Sequence, residues 1–394
     1  MAQPQARDEK AALSILLVAS SLTILAGALV SPALPAMKER FADAANVDLL
    51  LTLVLTVPGL SIAIAAPIAG LAADKIDRLQ VLLIGLVLYG LSGASALVLD
   101  SLEAIVVGRV VLGLAIGCTM TSATALITDY WDGAQRQKAM GLQAAAVGVG
   151  GVCYPLLAGV LTEFGWRTPF LVYLTALALA VWAARKLWEM PRVAEQRVGS
   201  TTAGFPVALA AVVFFLGFLA MVVLYAIPLR TPFYLTDLGY PSPTLAALAI
   251  SLPSLMSVVA ALNFGRLRAH LSPEAILGLS FGCMASGYAV VAAVPGMWGL
   301  YLGLIVFGAG FGLNGPNLMS WLQSSVPADQ RGRAAGGYTT CVFFGQFFST
   351  FVYTTLANVG SFSQTFALVA MVCLAVSLVG WLATASIQRR LVSS

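Results

Sequence analysis

The chain has 394 residues, of which 59% are hydrophobic and only 10% charged, with a mean hydropathy of +0.91. A water-soluble core of this size would need far more polar surface to cover it, so the composition excludes an ordinary globular protein and makes the bilayer the solvent. The formal net charge of +4 follows from a bias among the loops and carries no nucleic-acid partner.

A span needs roughly 20 predominantly apolar residues. Runs of that kind fall near 12–36, 47–72, 80–98, 103–128, 138–162, 167–187, 205–228, 243–263, 274–294, 297–321, 336–357 and 362–386. The expectation is an all-α integral membrane protein with twelve transmembrane helices. A lone apolar run in lipid must satisfy its own backbone hydrogen bonds, and barrel strands would be shorter and would alternate. Met1–Lys10 is short and charged, and the run after it lacks a clear cleavage site, so it reads as an uncleaved first span. The prolines of Ser31-Pro32-Ala33-Leu34-Pro35 are expected to stop that span before Lys38-Glu39-Arg40. Asp48 opens the second span. Arg109 lies inside the fourth, which also carries Gly113 and Gly117 and ends at Asp129. The fifth holds Gly148, Gly150, Gly151, Pro155 and Gly159, small residues that let helix backbones approach where lipid gives no hydrophobic drive. In the tenth, Asn314-Gly315-Pro316-Asn317 is expected to break the helix and free backbone groups, which lipid tolerates only where they are buried or line a cavity.

With twelve spans both ends lie on one side. Sixteen of the 21 basic residues fall there, Lys38, Arg40, Arg167 and Arg230 fall on the other side, and Arg109 is within a span. The positive-inside rule then places both termini in the cytoplasm and the protein in the cytoplasmic membrane. The five cysteines, Cys118, Cys153, Cys283, Cys341 and Cys373, lie singly in apolar runs. They have no metal-ligand spacing and suggest no disulfide framework, so neither a metal nor a cofactor is expected. No Gly-x-x-x-x-Gly-Lys-Ser/Thr loop is present, which excludes ATP as a driving force acting on this chain.

The loop Gly70-Leu71-Ala72-Ala73-Asp74-Lys75-Ile76-Asp77-Arg78 packs four charges into five residues between two apolar runs. A degraded copy, Gly265-Arg266-Leu267-Arg268-Ala269-His270, follows 195 positions later. The same offset relates Gly113 to Gly308, Gly117 to Gly312, Gln135-Arg136 to Gln330-Arg331, Lys138 to Arg333 and Gly141 to Gly336. One offset serving both regions argues for two related halves: a six-helix bundle over 1–187, a charged linker over 188–204 and a second six-helix bundle over 205–394. Internal repeats of this kind are a hallmark of transporters.

These residues resemble the major facilitator superfamily over nearly the whole chain. Gly70-x-x-x-Asp74-Lys75-x-x-Arg78 is similar to its loop 2–3 signature, with Asp77 where that pattern has glycine and Ala72 where it has leucine. Arg109-x-x-x-Gly113-x-x-x-Gly117 resembles the span-four signature. Gly150-x-x-x-Tyr154-Pro155-x-x-Ala158-Gly159 resembles the span-five signature of the antiporters, drug exporters included, with Tyr154 replacing a glycine. The resemblance implies two pseudo-symmetric bundles and a monomer that exports a small organic compound by alternating access. It also implies a gating loop of Gly70, Asp74, Lys75 and Arg78 in which Asp74 latches the cytoplasmic side, and a packing or hinge set of Gly113, Gly117, Gly150, Pro155 and Gly159.

An arginine inside a span costs about 2.5–3.5 kcal/mol on insertion scales, so Arg109 is expected to face the protein interior or a wet cavity. Its functional reading is a substrate or proton-pathway residue; its structural reading is an arginine that snorkels outward or bonds backbone carbonyls of the first span. Asn314 and Asn317 are the polar candidates of the second half, with Tyr154 as an aromatic one. No carboxylate sits at the middle of a span, and the single histidine, His270, is in a loop. If protons are coupled, the candidates are Asp48 and Asp129. An apolar cavity with one buried cation and no buried anion suits neutral, amphipathic or anionic compounds and argues against cationic drugs and metal ions. An importer of an organic anion held by Arg109 is the alternative. A membrane enzyme would need a nucleophile–base pair or metal cluster at membrane depth, and none is present.

Overall fold

The computed structural model describes residues 8–73, 77–189 and 205–393. The described residues form helices joined by turns, with no strand among them. Twelve segments are long and apolar enough to cross a membrane. The chain folds as two compact units, Met1–Arg197 and Val198–Ser394.

The first unit contains α1 (Glu9–Ala28), α2 (Leu34–Arg40), α3 (Val47–Ala73), α4 (Arg78–Ala94), α5 (Leu102–Tyr130), α6 (Gly133–Thr162) and α7 (Thr175–Lys186). The second contains α8 (Val207–Leu224), α9 (Ala226–Asp237), α10 (Pro243–Arg268), α11 (Pro273–Ala293), α12 (Met297–Ser325), α13 (Arg331–Val359) and α14 (Phe362–Ser393). Local chemistry sets several starts. Asp77, Ser101, Ser242 and Ser272 each accept a hydrogen bond from a first-turn backbone N–H, which satisfies one of the donors that a helix N-terminus leaves open. Pro243 and Pro273 occupy first helical positions, where a missing N–H costs nothing.

The internal repeat is visible in how each unit packs. In the first, α5 lies against α3 and α4, α1 against α5 and α6, and α4 against α7. In the second, α12 lies against α10 and α11, α8 against α12 and α13, and α11 against α14. Individual contacts recur at the sequence offset. A Cβ on Gly113 would lie 2.5 Å from the Pro58 carbonyl oxygen, and one on Gly308 would meet that of Pro253, 195 positions later. Arg136 Nε donates to the Trp131 carbonyl at 3.0 Å, and Arg331 Nε to the Val326 carbonyl at 3.4 Å.

Three expectations are corrected. The prolines at 32 and 35 do not end the first span: α1 stops at Ala28, a 3-10 turn covers Ser31–Ala33, and α2 continues to Arg40. Both prolines fall in the first turn of a new segment, which tolerates them. Pro316 does not break α12, which is continuous from Met297 to Ser325. Proline there removes the one intrahelical bond that would end on the Gly312 carbonyl, and the flanking turns carry the helix through. Finally, Arg230 is not in a loop. It lies in α9, the second part of a span over Val207–Asp237, so Arg109 is not the only basic residue within a span.

Candidate functional site

Arg109 stands two turns inside α5, with only 1% of its surface exposed, the sole charged side chain among the buried residues. It therefore does not snorkel. Its Nη1 donates to the Tyr173 hydroxyl oxygen at 2.8 Å, and that hydroxyl donates to the Ala26 carbonyl of α1 at 3.0 Å. The guanidinium carbon sits 4.8 Å from the Phe170 ring centroid and 5.1 Å from that of Tyr173, so two aromatic faces offset part of its lost hydration. Tyr89 completes the group: its ring is 5.6 Å from Tyr173 and its hydroxyl donates to the Leu22 carbonyl at 2.7 Å. Among the described residues, Arg109 Nη2 is buried without a hydrogen-bond partner. No Asp or Glu is buried among the described residues.

A second polar group lies where α1 meets α5 and α6. Gln143 Nε2 donates to the hydroxyls of Ser20 at 2.8 Å and Thr124 at 3.0 Å. Tyr154 and Ser21 share a hydrogen bond of 2.6 Å. Gly150 makes room for it, because a Cβ there would stand 2.8 Å from the Tyr154 ring. Hydrogen bonds from α4, α6 and the 3-10 segment Thr168–Leu174 thus converge on one turn and a half of α1, residues 20–26.

At the end of the first unit where α4 begins, Asp77-Arg78, Asp129-Tyr130 and Trp188-Glu189 interlock. Arg78 pairs with Asp129. Tyr130 stacks on Trp188 with centroids 4.3 Å apart, its hydroxyl donating to the Trp188 carbonyl and accepting from the Trp188 N–H. The Glu189 and Asp77 carboxyls meet at hydrogen-bonding distance, and the Asp77 group beside it raises the pKa of Glu189. Of the residues expected to form a gating loop, Asp74 and Lys75 lie outside the described residues, Gly70 is in α3, and Arg78 carries the contact just given. Asp48 is in the first turn of α3, about half exposed, and pairs with Lys38 at 2.7 Å.

In the second unit Asn314 and Asn317 are buried on α12. Asn317 Nδ2 donates to the Pro273 carbonyl of α11 at 2.9 Å, while its Oδ1 and both polar atoms of Asn314 have no partner among the described residues. Gly310, one turn before Asn314, approaches the Ser280 carbonyl of α11, so this face of α12 is turned to α11. Arg230 lies 4.4 Å from the centroid of the Phe362 ring. Among the packing residues, Gly113 and Gly117 abut Pro58 and Ala65 of α3, and Pro155 and Gly159 are buried in α6. Sequence reading missed Gln143, Tyr89, Tyr173 and Arg230. An amide within the fifth apolar run was a usable signal for Gln143. Nothing in the sequence around Tyr89 or Tyr173 sets them apart from other aromatics in apolar runs.

Three comparisons bear on what this arrangement belongs to. The sequence profile of the Major Facilitator Superfamily matches residues 16–350. The chain is 24% identical over 363 residues to the quinolone resistance protein NorA of Staphylococcus aureus (strain Mu50 / ATCC 700699), covering 86% of this chain and 88% of that one. It is 25% identical over 303 residues to multidrug resistance protein 2 of Bacillus subtilis (strain 168), covering 72% and 74%. It is 23% identical over 334 residues to the riboflavin transporter RibZ of Clostridioides difficile (strain 630), covering 66% and 73%. Among solved structures, a POT family transporter in complex with 5-aminolevulinic acid superposes with a TM-score of 0.78 at 12% identity, over 95% of this chain and 96% of that one. The human organic anion transporter MFSD10 (TETRAN) gives 0.70 at 15% identity, over 96% and 100%. Twelve spans, a repeat preserved in packing, and a family match over most of the length agree: the chain is a member of the Major Facilitator Superfamily, a multi-pass membrane transporter and not an enzyme.

Proposed function

We propose that the protein is a secondary transporter that exports a small neutral, amphipathic or anionic organic compound by alternating access, acting as a monomer with both termini in the cytoplasm. The observation that carries the substrate class is Arg109. Its charge is buried and permanent, no buried carboxylate neutralises it among the described residues, and one of its N–H groups is unpartnered. A site of this kind favours a ligand that brings an acceptor or a negative charge and disfavours a cation. Export is supported by relatives named for quinolone and multidrug resistance. Within this reading Asn314 and Asn317 remain substrate or coupling candidates, and Asp48 and Asp129 the candidates for proton coupling. Residues 1–187 and 205–394 form the two rocking bundles. The latch on the cytoplasmic side is the Asp74 loop with the Arg78–Asp129 pair.

One observation favours a second reading. The same free Nη2 suits a carboxylate or phosphate, so import or exchange of an organic anion is the alternative. Purified protein in liposomes enclosing a pH-sensitive dye tests both. Anionic or neutral compounds are expected to cross, with proton flux that is lost on Asp48 or Asp129 replacement. Transport limited to cations, or wild-type flux in Arg109→Ala, would refute the substrate assignment. Flux driven only inward by an anion gradient would select the second reading.

A further inference from the structure

The polar group on α6 has a property that follows from counting protons, and it rests on the transporter reading above. Ser20 Oγ donates its one proton to the Leu16 carbonyl at 2.7 Å, and Thr124 Oγ1 donates its own to Met120 at 3.0 Å. Each hydroxyl has then spent its only donor, so toward Gln143 both can only accept. A single Gln143 atom faces both of them, and an atom facing two acceptors must be the amide NH2. The orientation of this amide, normally a choice between two nearly indistinguishable ends, is thereby fixed. Among the described residues Oε1 is left as an acceptor with no hydrogen bond to the protein, Gln143 bonding only through Nε2, on a half-buried residue.

The same count applies at Tyr154. Ser21 Oγ donates to the Val18 carbonyl at 2.7 Å, so across the 2.6 Å bond to Tyr154 the serine accepts and the tyrosine donates. Tyr154 is left with acceptor lone pairs. Positions 143 and 154 are 11 residues apart, about three helical turns, so they lie on nearly the same face of α6. Their tips reach adjacent residues of α1, Ser20 and Ser21.

We infer that Gln143 and Tyr154 are specificity-determining residues, locked by α1 and α5 into presenting acceptors only, so that the preferred substrate supplies N–H or O–H donors to this face. Arg109, in the same unit, presents donors. The substrate class is therefore a small organic compound with a donor-bearing polar edge, as a ring N–H or hydroxyl provides, rather than one that is uniformly an acceptor. A free amide would read either kind of edge; the two hydroxyls remove that freedom.

The test uses the full-length protein in liposomes and two matched probe pairs: riboflavin and its N3-methyl derivative, and a phenol and its methyl ether. In the wild type the donor member of each transported pair is expected to have the higher kcat/KM by about fivefold, the worth of one net hydrogen bond. Gln143→Leu should cut that preference to below about threefold, with the loss falling on the donor member. Should that variant unfold, Ser20→Ala and Thr124→Ala together release the amide to rotate. They are expected to raise transport of the methylated members while donor members change little, which a purely structural role would not produce. Equal handling of donor and methylated members by the wild type, or an equal fall for both in Gln143→Leu with no gain for methylated members in the double variant, would overturn the inference and leave the transporter reading intact. No flux of any probe in the wild type, nor of other neutral and anionic compounds, would refute the transporter reading and this inference with it.

Discussion

Replacing Tyr173 with Phe tests how the buried charge is held. The substitution deletes one oxygen and keeps the ring, so the packing over Arg109 and the aromatic face at 5.1 Å persist. Two hydrogen bonds vanish: the 2.8 Å bond from Arg109 Nη1 and the 3.0 Å bond to the Ala26 carbonyl. The first is charge-assisted, worth about 1.5–3 kcal/mol, and the second about 1 kcal/mol. Because Nη2 is already without a partner, the variant leaves both terminal nitrogens of a buried guanidinium unpaired, so the cost falls toward the upper end, about 3–4 kcal/mol. For a unit of this size that corresponds to a fall in Tm of about 6–16 °C. Tryptophan fluorescence during heating of the detergent-solubilised protein reads it. Tyr89→Phe is the internal comparison: it removes only the neutral 2.7 Å bond to Leu22 and is expected to lower Tm by about 2–4 °C. Equal shifts for the two variants would refute the reasoning, because they would mean that the guanidinium draws nothing from Tyr173.

Asp129→Asn breaks the pair with Arg78, whose side chains are 27% and 34% exposed. Stability should fall by no more than about 1 kcal/mol while initial transport rates drop severalfold, and an unchanged rate would remove the latch role. The pKa of Glu189 is raised by Asp77, so their contact is present at low pH, while the pair holds a proton, and is lost as pH rises through that elevated value. Exchange of the Trp188 amide, which donates to Tyr130, should show extra protection at acid pH after correction for intrinsic rates, and Glu189→Gln should abolish the pH step. Gly113→Ala and Gly308→Ala push a methyl onto the Pro58 and Pro253 carbonyls and should each cost about 1–3 kcal/mol or more, measured as folded yield and Tm. Gly141→Ala, with nothing within 4 Å, is the control. Asn314→Leu removes two unpartnered polar atoms and should raise Tm, whereas Asn317→Leu loses the bond to Pro273 and should lower it.

Much of the architecture was legible because the bilayer imposes one rule, internal satisfaction of the backbone, that turns apolar run length into helices. The repeat was legible because Gly113 and Gly308 each face a proline carbonyl at the same offset, a constraint that tolerates no side chain. The proline expectations at 35 and 316 erred for one physical reason. Proline excludes an N–H from the helix but does not forbid helical geometry, and its cost depends on whether the turn before it has another way to close. Arg230 was placed outside the seventh span because the apolar run was ended at 228; yet α9 carries the helix on to Asp237. The site was harder to read. Arg109 announced itself as a lone charge, but its partners Phe170 and Tyr173 stand more than 60 positions ahead, and nothing in a tyrosine's neighbours says whether its hydroxyl points at lipid headgroups or at a carbonyl of α1.

The charge distribution limits how protons can enter the cycle. Arg109 is the one charged side chain buried among the described residues. No carboxylate is buried with it among the described residues, and the tyrosines beside it spend their protons on carbonyls of α1. Among the described residues, a change of charge that reaches Arg109 arrives with the substrate or acts from a span end, at Asp48 or at the rim where Arg78, Asp129, Asp77 and Glu189 meet. The two routes separate cleanly. If the substrate's own ionisation matters, transport follows the pKa of each compound tried. If the rim matters, every compound shares one pH profile, and Glu189→Gln moves all of them together.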